Sequence, residues 1–106
     1  MNMMKMMKQA AEMQQRMGRI QEELAGRTVT FTSGGGMVTA TARGDMSIER
    51  IAIKPEVVDP DDVEMLEDLV TAAVDGALKA ARDLAAEEMG KATQGLGLPP
   101  GMNLPF

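Results

Sequence analysis

Between Met3 and Leu24 the apolar positions Met3, Met6, Ala10, Met13, Met17, Ile20 and Leu24 recur at alternating steps of three and four. That period is the seam of an amphipathic helix and predicts a helix from Met3 to about Ala25. The remaining positions are mostly Met, Gln, Lys, Arg, Glu and Ala, all good helix formers, with Gly18 an internal weak point and Gly26 a stop. The seam lasts only about three heptads, so it predicts a helix that packs on a partner surface, within its own domain or across a dimer.

After Gly26 the period changes to two. Arg27 to Ser33 alternates, with Val29 and Phe31 on one face and Thr28, Thr30 and Thr32 on the other, as in a half-buried strand. Gly34-Gly35-Gly36 supplies the positive-φ positions of a hairpin turn. Met37 to Arg43 alternates again, setting Val38, Ala40 and Ala42 against Thr39, Thr41 and Arg43, and Gly44-Asp45 marks a second turn. Met46 to Ile53 predicts a third strand in which Ile48, Ile51 and Ile53 break the alternation once, the signature of a bulge. Pro55 ends it. The pattern is a three-stranded antiparallel meander with one Thr-rich face.

A second helix follows, with Asp59 as its expected N-cap, Pro60 at its first position and Asp61, Asp62 and Glu64 at the positive end of its dipole. Its seam runs Val63, Leu66, Val70, Ala73, Ala77, Ala80/Ala81 and Leu84, reaching towards Met89. A rod over residues 60–90 is roughly 45 Å long, more than a small sheet can cover. Ala72, Gly76 and Ala80 lie four apart and predict a close helix–helix contact, since Gly inside a helix costs about 1 kcal/mol against Ala and calls for a packing reason. The tail 95–106 places Leu96, Leu98, Met102, Leu104 and Phe106 among Gly and Pro, which exclude helix and inner strand. The expected organisation is one α+β domain: a helical arm over 1–26, sheet over 27–54, long helix over 59–93 and an apolar Pro/Gly tail over 94–106.

Composition narrows the chemistry. The 106 residues include no Cys, His, Trp or Tyr, two Phe and twelve Met. Thiolate or imidazole metal sites, nucleophiles with a His base and disulfides are thereby excluded. A core without large aromatics is thin for this length, so self-association is expected. With 44% hydrophobic and 25% charged residues the chain is globular in composition, and no apolar run nears the ~18 residues of a membrane span. A cytoplasmic location is expected. Nothing marks an enzyme, a cofactor or a small-molecule substrate: Ser33-Gly34-Gly35-Gly36 lacks the Gly-Lys-Ser/Thr of a phosphate loop, and Asp59-Asp61-Asp62-Glu64 lacks EF-hand spacing and belongs to a helix start. The Met-rich opening reads first as a helix end packed on a dimer mate and second as an adaptable binding surface, with a membrane-surface helix weakest for want of aromatic anchors.

The net charge of −5 hides an asymmetry. Residues 1–44 carry six basic and three acidic side chains, a balance of +3, while 45–106 carry five and thirteen, a balance of −8. Lys8 and Arg19 share one line of the first helix, and Lys5 and Arg16 its neighbour, giving a positive stripe beside the apolar seam. Such a stripe is usually a solvated face; it is also how a helix meets a polyanion.

Several motifs in order resemble the YbaB/EbfC nucleoid-associated proteins: Met6-Met7-Lys8-Gln9-Ala10-Ala11-Glu12-Met13-Gln14-Gln15-Arg16-Met17, Gly34-Gly35-Gly36-Met37-Val38, Ile51-Ala52-Ile53-Lys54-Pro55-Glu56-Val57-Val58, Glu64 to Ala73, and Leu98-Pro99-Pro100-Gly101-Met102. The resemblance spans nearly the whole chain. It implies an intertwined or tweezer-like homodimer with projecting helices that binds DNA at the nucleoid. It also implies DNA contact by Lys5, Lys8, Arg16 and Arg19, and secondarily by Lys79, Arg82 and Lys91, although the second helix is strongly acidic. The expected dimer interface is Val29, Phe31, Val38, Ile51, Ile53, Val70, Ala73 and Ala77. With no base-reading helix or aromatic stacking set, the expected contact is with the backbone of double-stranded DNA. The rival reading is a homodimeric protein-interaction scaffold that does not bind DNA.

Overall fold

The computed structural model describes residues 2–94. In chain order these form α1 (Met3–Gly26), β1 (Thr28–Ser33), β2 (Val38–Arg43), β3 (Ile48–Ile53), one turn of 3-10 helix (Pro55–Val57) and α2 (Val63–Gln94). The expected tail falls at 95–106, outside the described residues. Asn2 caps α1 by accepting a hydrogen bond from the Met4 N–H at 3.1 Å.

The strands form one antiparallel sheet in the order β1-β2-β3. Phe31 pairs with Ala40, which pairs in turn with Ile51, while Val38 faces Ile53 and Val29 faces Ala42. Paired residues share a face, so Val29, Phe31, Val38, Ala40, Ala42, Ile48, Ile51 and Ile53 point one way and the threonines, with Ala52, the other. Register slips between Thr41 and Ala42, whose partners are Arg50 and Ile48. Glu49 is the extra residue, and this is the bulge that the broken Ile spacing predicts. The glycines of the first turn all have positive φ (60°, 68° and 93°), and Ser33 Oγ donates to the Leu69 carbonyl at 2.6 Å, tying that turn to α2.

The centre of the core is narrow: Val38, Ala40 and Ala42 of β2 meet Ala73, Ala77 and Ala81 of α2, all fully buried, with Val29, Ile48, Leu66, Leu69, Val70, Val74 and Leu78 around them. Small side chains let the helix lie close to the sheet.

Three expectations are corrected. The second helix starts at Val63, not Pro60, and its cap is Asp62, whose carboxylate accepts the Met65 N–H at 3.2 Å; Asp59 accepts the Asp61 N–H at 2.9 Å and closes a turn instead. Two aspartates three apart compete for the same role, and the turn takes the first. The third strand begins at Ile48, because Met46 at φ 71° and Ser47 complete the turn. Gly76 answers to the ring of Phe31, into which a Cβ would project, and not to a second helix. The close approach is helix to sheet.

Candidate nucleic-acid interface

Among the described residues, α1 is fastened to the body towards its C-terminal end. Leu24 is 4% exposed, packed against Gly44 in the β2–β3 turn, and the Gly44 N–H donates to the Arg27 carbonyl at 2.9 Å. Arg27 Nη1 donates to Glu88 Oε1 at 2.9 Å, joining the base of α1 to α2 across 61 residues of sequence. From there towards the N-terminus burial fades: Ile20, Met17 and Met13 are half-buried, Met6 is 50% exposed and Met3 75%. The 24-residue helix, about 36 Å long, is therefore an arm. The molecule measures 70 × 24 × 16 Å, with a radius of gyration of 19.3 Å against about 13 Å for a compact chain of this length.

On this arm Lys5, Lys8 and Arg19 are exposed and Arg16 is half-buried. Among the described residues none of the four is in an ion pair. Glu12, four residues from both Lys8 and Arg16, interrupts the stripe and lowers its charge to +3. The other three expected contacts are placed differently. Lys79 and Arg82 are exposed on α2, but Asp75 and Asp83 stand one turn to either side of Lys79. Lys91 is engaged with Glu87 at 3.7 Å and Glu88 at 3.4 Å. Its hydrogen bond from Arg27 above all, then that from Lys91, holds the Glu88 carboxyl below the usual carboxylate range. Lys5, Lys8, Arg16 and Arg19 thus lie together along α1, while Arg50, Lys54, Lys79 and Arg82 are exposed on other parts of the chain. Residue patterning had no means of finding the Arg27–Glu88 pair, since no local spacing connects the two.

The residues expected at a dimer interface divide by burial. Val38, Ala73 and Ala77 are fully covered inside one protomer, because α2 lies directly over β2. Val29 and Val70 are half-buried. Because α2 crosses β1 and β2 and scarcely touches β3, Ile51 and Ile53 keep 39% and 40% exposure on the apolar face, and Phe31 keeps 44%. Val58, Val63 and Met65 add exposed apolar surface at the start of α2.

The N-terminal end of α2 is unsuited to phosphate. An open hollow of about 350 Å³ at the N-terminal end of α2 is lined by Asp62, Glu64, Met65, Asp68 and Leu69, and its carboxylates repel anions. Among the described residues no three Asp or Glu side chains gather to hold a metal ion, and no helix is long and apolar enough to cross a membrane.

This architecture has counterparts. The chain superposes on the crystal structure of an uncharacterized Helicobacter pylori protein with a TM-score of 0.75, covering 91% of this chain and 98% of that one at 20% identity, which is a likeness of fold. In sequence it is 55% identical over 98 residues to a nucleoid-associated protein of Pelotomaculum thermopropionicum, covering 92% of this chain and 93% of the relative. It is 54% identical over 101 residues to one of Bacillus thuringiensis, covering 95% and 93%. Residues 1–96 match the model of the YbaB/EbfC DNA-binding family. A chain matched over that span, with relatives this similar over nearly their full length, belongs to the YbaB/EbfC DNA-binding family.

Proposed function

We propose that this protein is a non-enzymatic, nucleoid-associated, cytoplasmic protein that binds double-stranded DNA as a homodimer, holds the sugar-phosphate backbone with its α1 arms, and alters DNA conformation or organisation, with effects on gene expression as the consequence. The observation that carries this reading is the arm: a helix projecting from the body whose Lys5, Lys8, Arg16 and Arg19 are in no ion pair among the described residues, in a family that binds DNA. A second copy supplies what one protomer lacks, apolar cover for Ile51, Ile53, Phe31 and Val58. It also doubles the count of phosphate contacts, each of which contributes through counterion release.

Few cations and no base-reading set give weak, salt-sensitive binding with little sequence preference. Four contacts per dimer would give log K against log salt a slope of about −4, and eight about −7. Titration of a duplex at two salt concentrations measures this, and sizing of the free protein tests the dimer. Lys8→Glu with Arg19→Glu is expected to abolish binding while leaving size and helicity unchanged. Unchanged affinity in that variant overturns the arm as the contact surface. Absence of DNA binding by the unaltered protein returns the interaction-scaffold reading.

A further inference from the structure

The base of the arm holds a second layer of design, which rests on the DNA reading above. α1 is held at its C-terminal end by three contacts from two elements, the β2–β3 turn and α2. Leu24 packs on Gly44, so tightly that a Cβ there would lie 2.6 Å from the Leu24 carbonyl oxygen. The Gly44 N–H donates to the Arg27 carbonyl at 2.9 Å. The Arg27 guanidinium reaches Glu88 on α2, at 2.9 Å. Glu88 is in turn bound by Lys91 one turn on, so its carboxylate sits between two cations. Two contacts at Gly44 of the β2–β3 turn, one to Leu24 and one to Arg27, together with one on α2, restrain the direction of the rod. A small change of angle at the base of a 36 Å arm moves its basic tip by many ångströms.

We propose that Gly44, Leu24, Arg27 and Glu88 form an anchor that sets the angle of the arm, and hence the separation of the two basic stripes that grip one duplex. Arg27 and Glu88 are positioning residues: Arg27, although basic and on the DNA-binding side of the sequence, is occupied by Glu88 and acts through the arm.

The assignment separates from simple electrostatics by sign. Glu88→Gln removes a negative charge near the arm, which alone would tighten DNA binding. The anchor requires the reverse, a loss of about two- to five-fold, the range of a partly exposed ion pair. Arg27→Glu is expected to lose more than ten-fold, and the swapped pair Arg27→Glu with Glu88→Arg to recover to within about three-fold of the unaltered protein. If Arg27 itself touched phosphate, the swap would not recover. Gly44→Ala, which drives a methyl into a backbone oxygen, is expected to re-aim the arm most.

The chain has no cysteine, so Met7→Cys with Thr30→Cys admits two spin labels, and the distance between arm and sheet in the absence of DNA is the second readout. A shifted or broadened distance in Glu88→Gln supports the anchor. An unchanged distance, or tighter DNA binding by that variant, overturns it. The distance measurement needs no DNA, so it judges the anchor even where the unaltered protein fails to bind a duplex, an outcome that would count against the proposed function alone.

Discussion

At the scale of single residues, two backbone positions carry more than their side chains suggest. Met46 holds φ 71°, in the left-handed region that side chains with a Cβ adopt at a cost of about 1–3 kcal/mol. It closes a turn in which the Met46 N–H donates to the Arg43 carbonyl and Asp45 accepts from Ser47. The Met46 side chain is 38% exposed, so replacing it with glycine forfeits little packing. Met46→Gly is expected to raise stability by about 0.5–1 kcal/mol after the extra entropy of the unfolded glycine is counted, read as a higher denaturant midpoint with unchanged slope. Gly76 works the other way. Alanine there gains about 1 kcal/mol of helix propensity, yet its methyl would enter the Phe31 ring. Overpacking of about 1–3 kcal/mol outweighs the gain, so Gly76→Ala is expected to destabilise. Phe31→Leu should relieve that loss in a double-mutant cycle, a coupling that distant sites would not show. The helical glycine was legible as a packing device; its partner was not, because Phe31 lies 45 residues away on another element.

At the scale of elements, α2 shows where local chemistry decides and where it is outvoted. Asp59 and Asp62 both suit a helix start, and the structure gives the cap to Asp62. Asp62→Ala is therefore expected to cost about 1 kcal/mol. Asp59→Ala, which removes only a turn bond, should cost less, and chemical denaturation of the two variants side by side reads the difference. The junction of α1 with α2 adds a pH dependence. The Glu88 pKa is lowered by the Arg27 hydrogen bond first and by Lys91 second, while Glu87 sits beside it as a further carboxylate. The folded-state pKa lies below the unfolded one, so the pair contributes in full above the ordinary carboxylate range and is lost as pH falls through the depressed value. The distance from arm to sheet is expected to hold steady from neutral pH down through the usual carboxylate range and to loosen below it. Glu88→Gln should already be loosened at neutral pH and show no such transition.

At the scale of the whole molecule, the coverage of the sheet is uneven. One long helix lies over two of three strands, and among the described residues it scarcely touches β3, leaving Ile51 and Ile53 about 40% exposed on the apolar face. Ile51→Glu with Ile53→Glu is expected to turn the proposed dimer into a monomer in sedimentation, with helicity retained because both side chains are already about 40% exposed in the protomer. What the sequence determined by itself was the short-range periodicity, though not the residues at which α2 and β3 begin. The seam of α1, the alternation and triple-glycine turn of the strands, the bulge in β3 and the existence of α2 each follow from spacings of two to four residues, which local geometry enforces. The basic stripe was legible for the same reason. Tertiary structure alone decided which strand was least covered, that Val38, Ala73 and Ala77 belong to the protomer's own core, and that Arg27 is held by Glu88 while Lys5, Lys8, Arg16 and Arg19 are in no ion pair among the described residues. Those outcomes depend on where a rigid helix lies across a sheet and which distant side chains then meet. Contacts between residues 45 or 61 positions apart leave no period in the chain to be read.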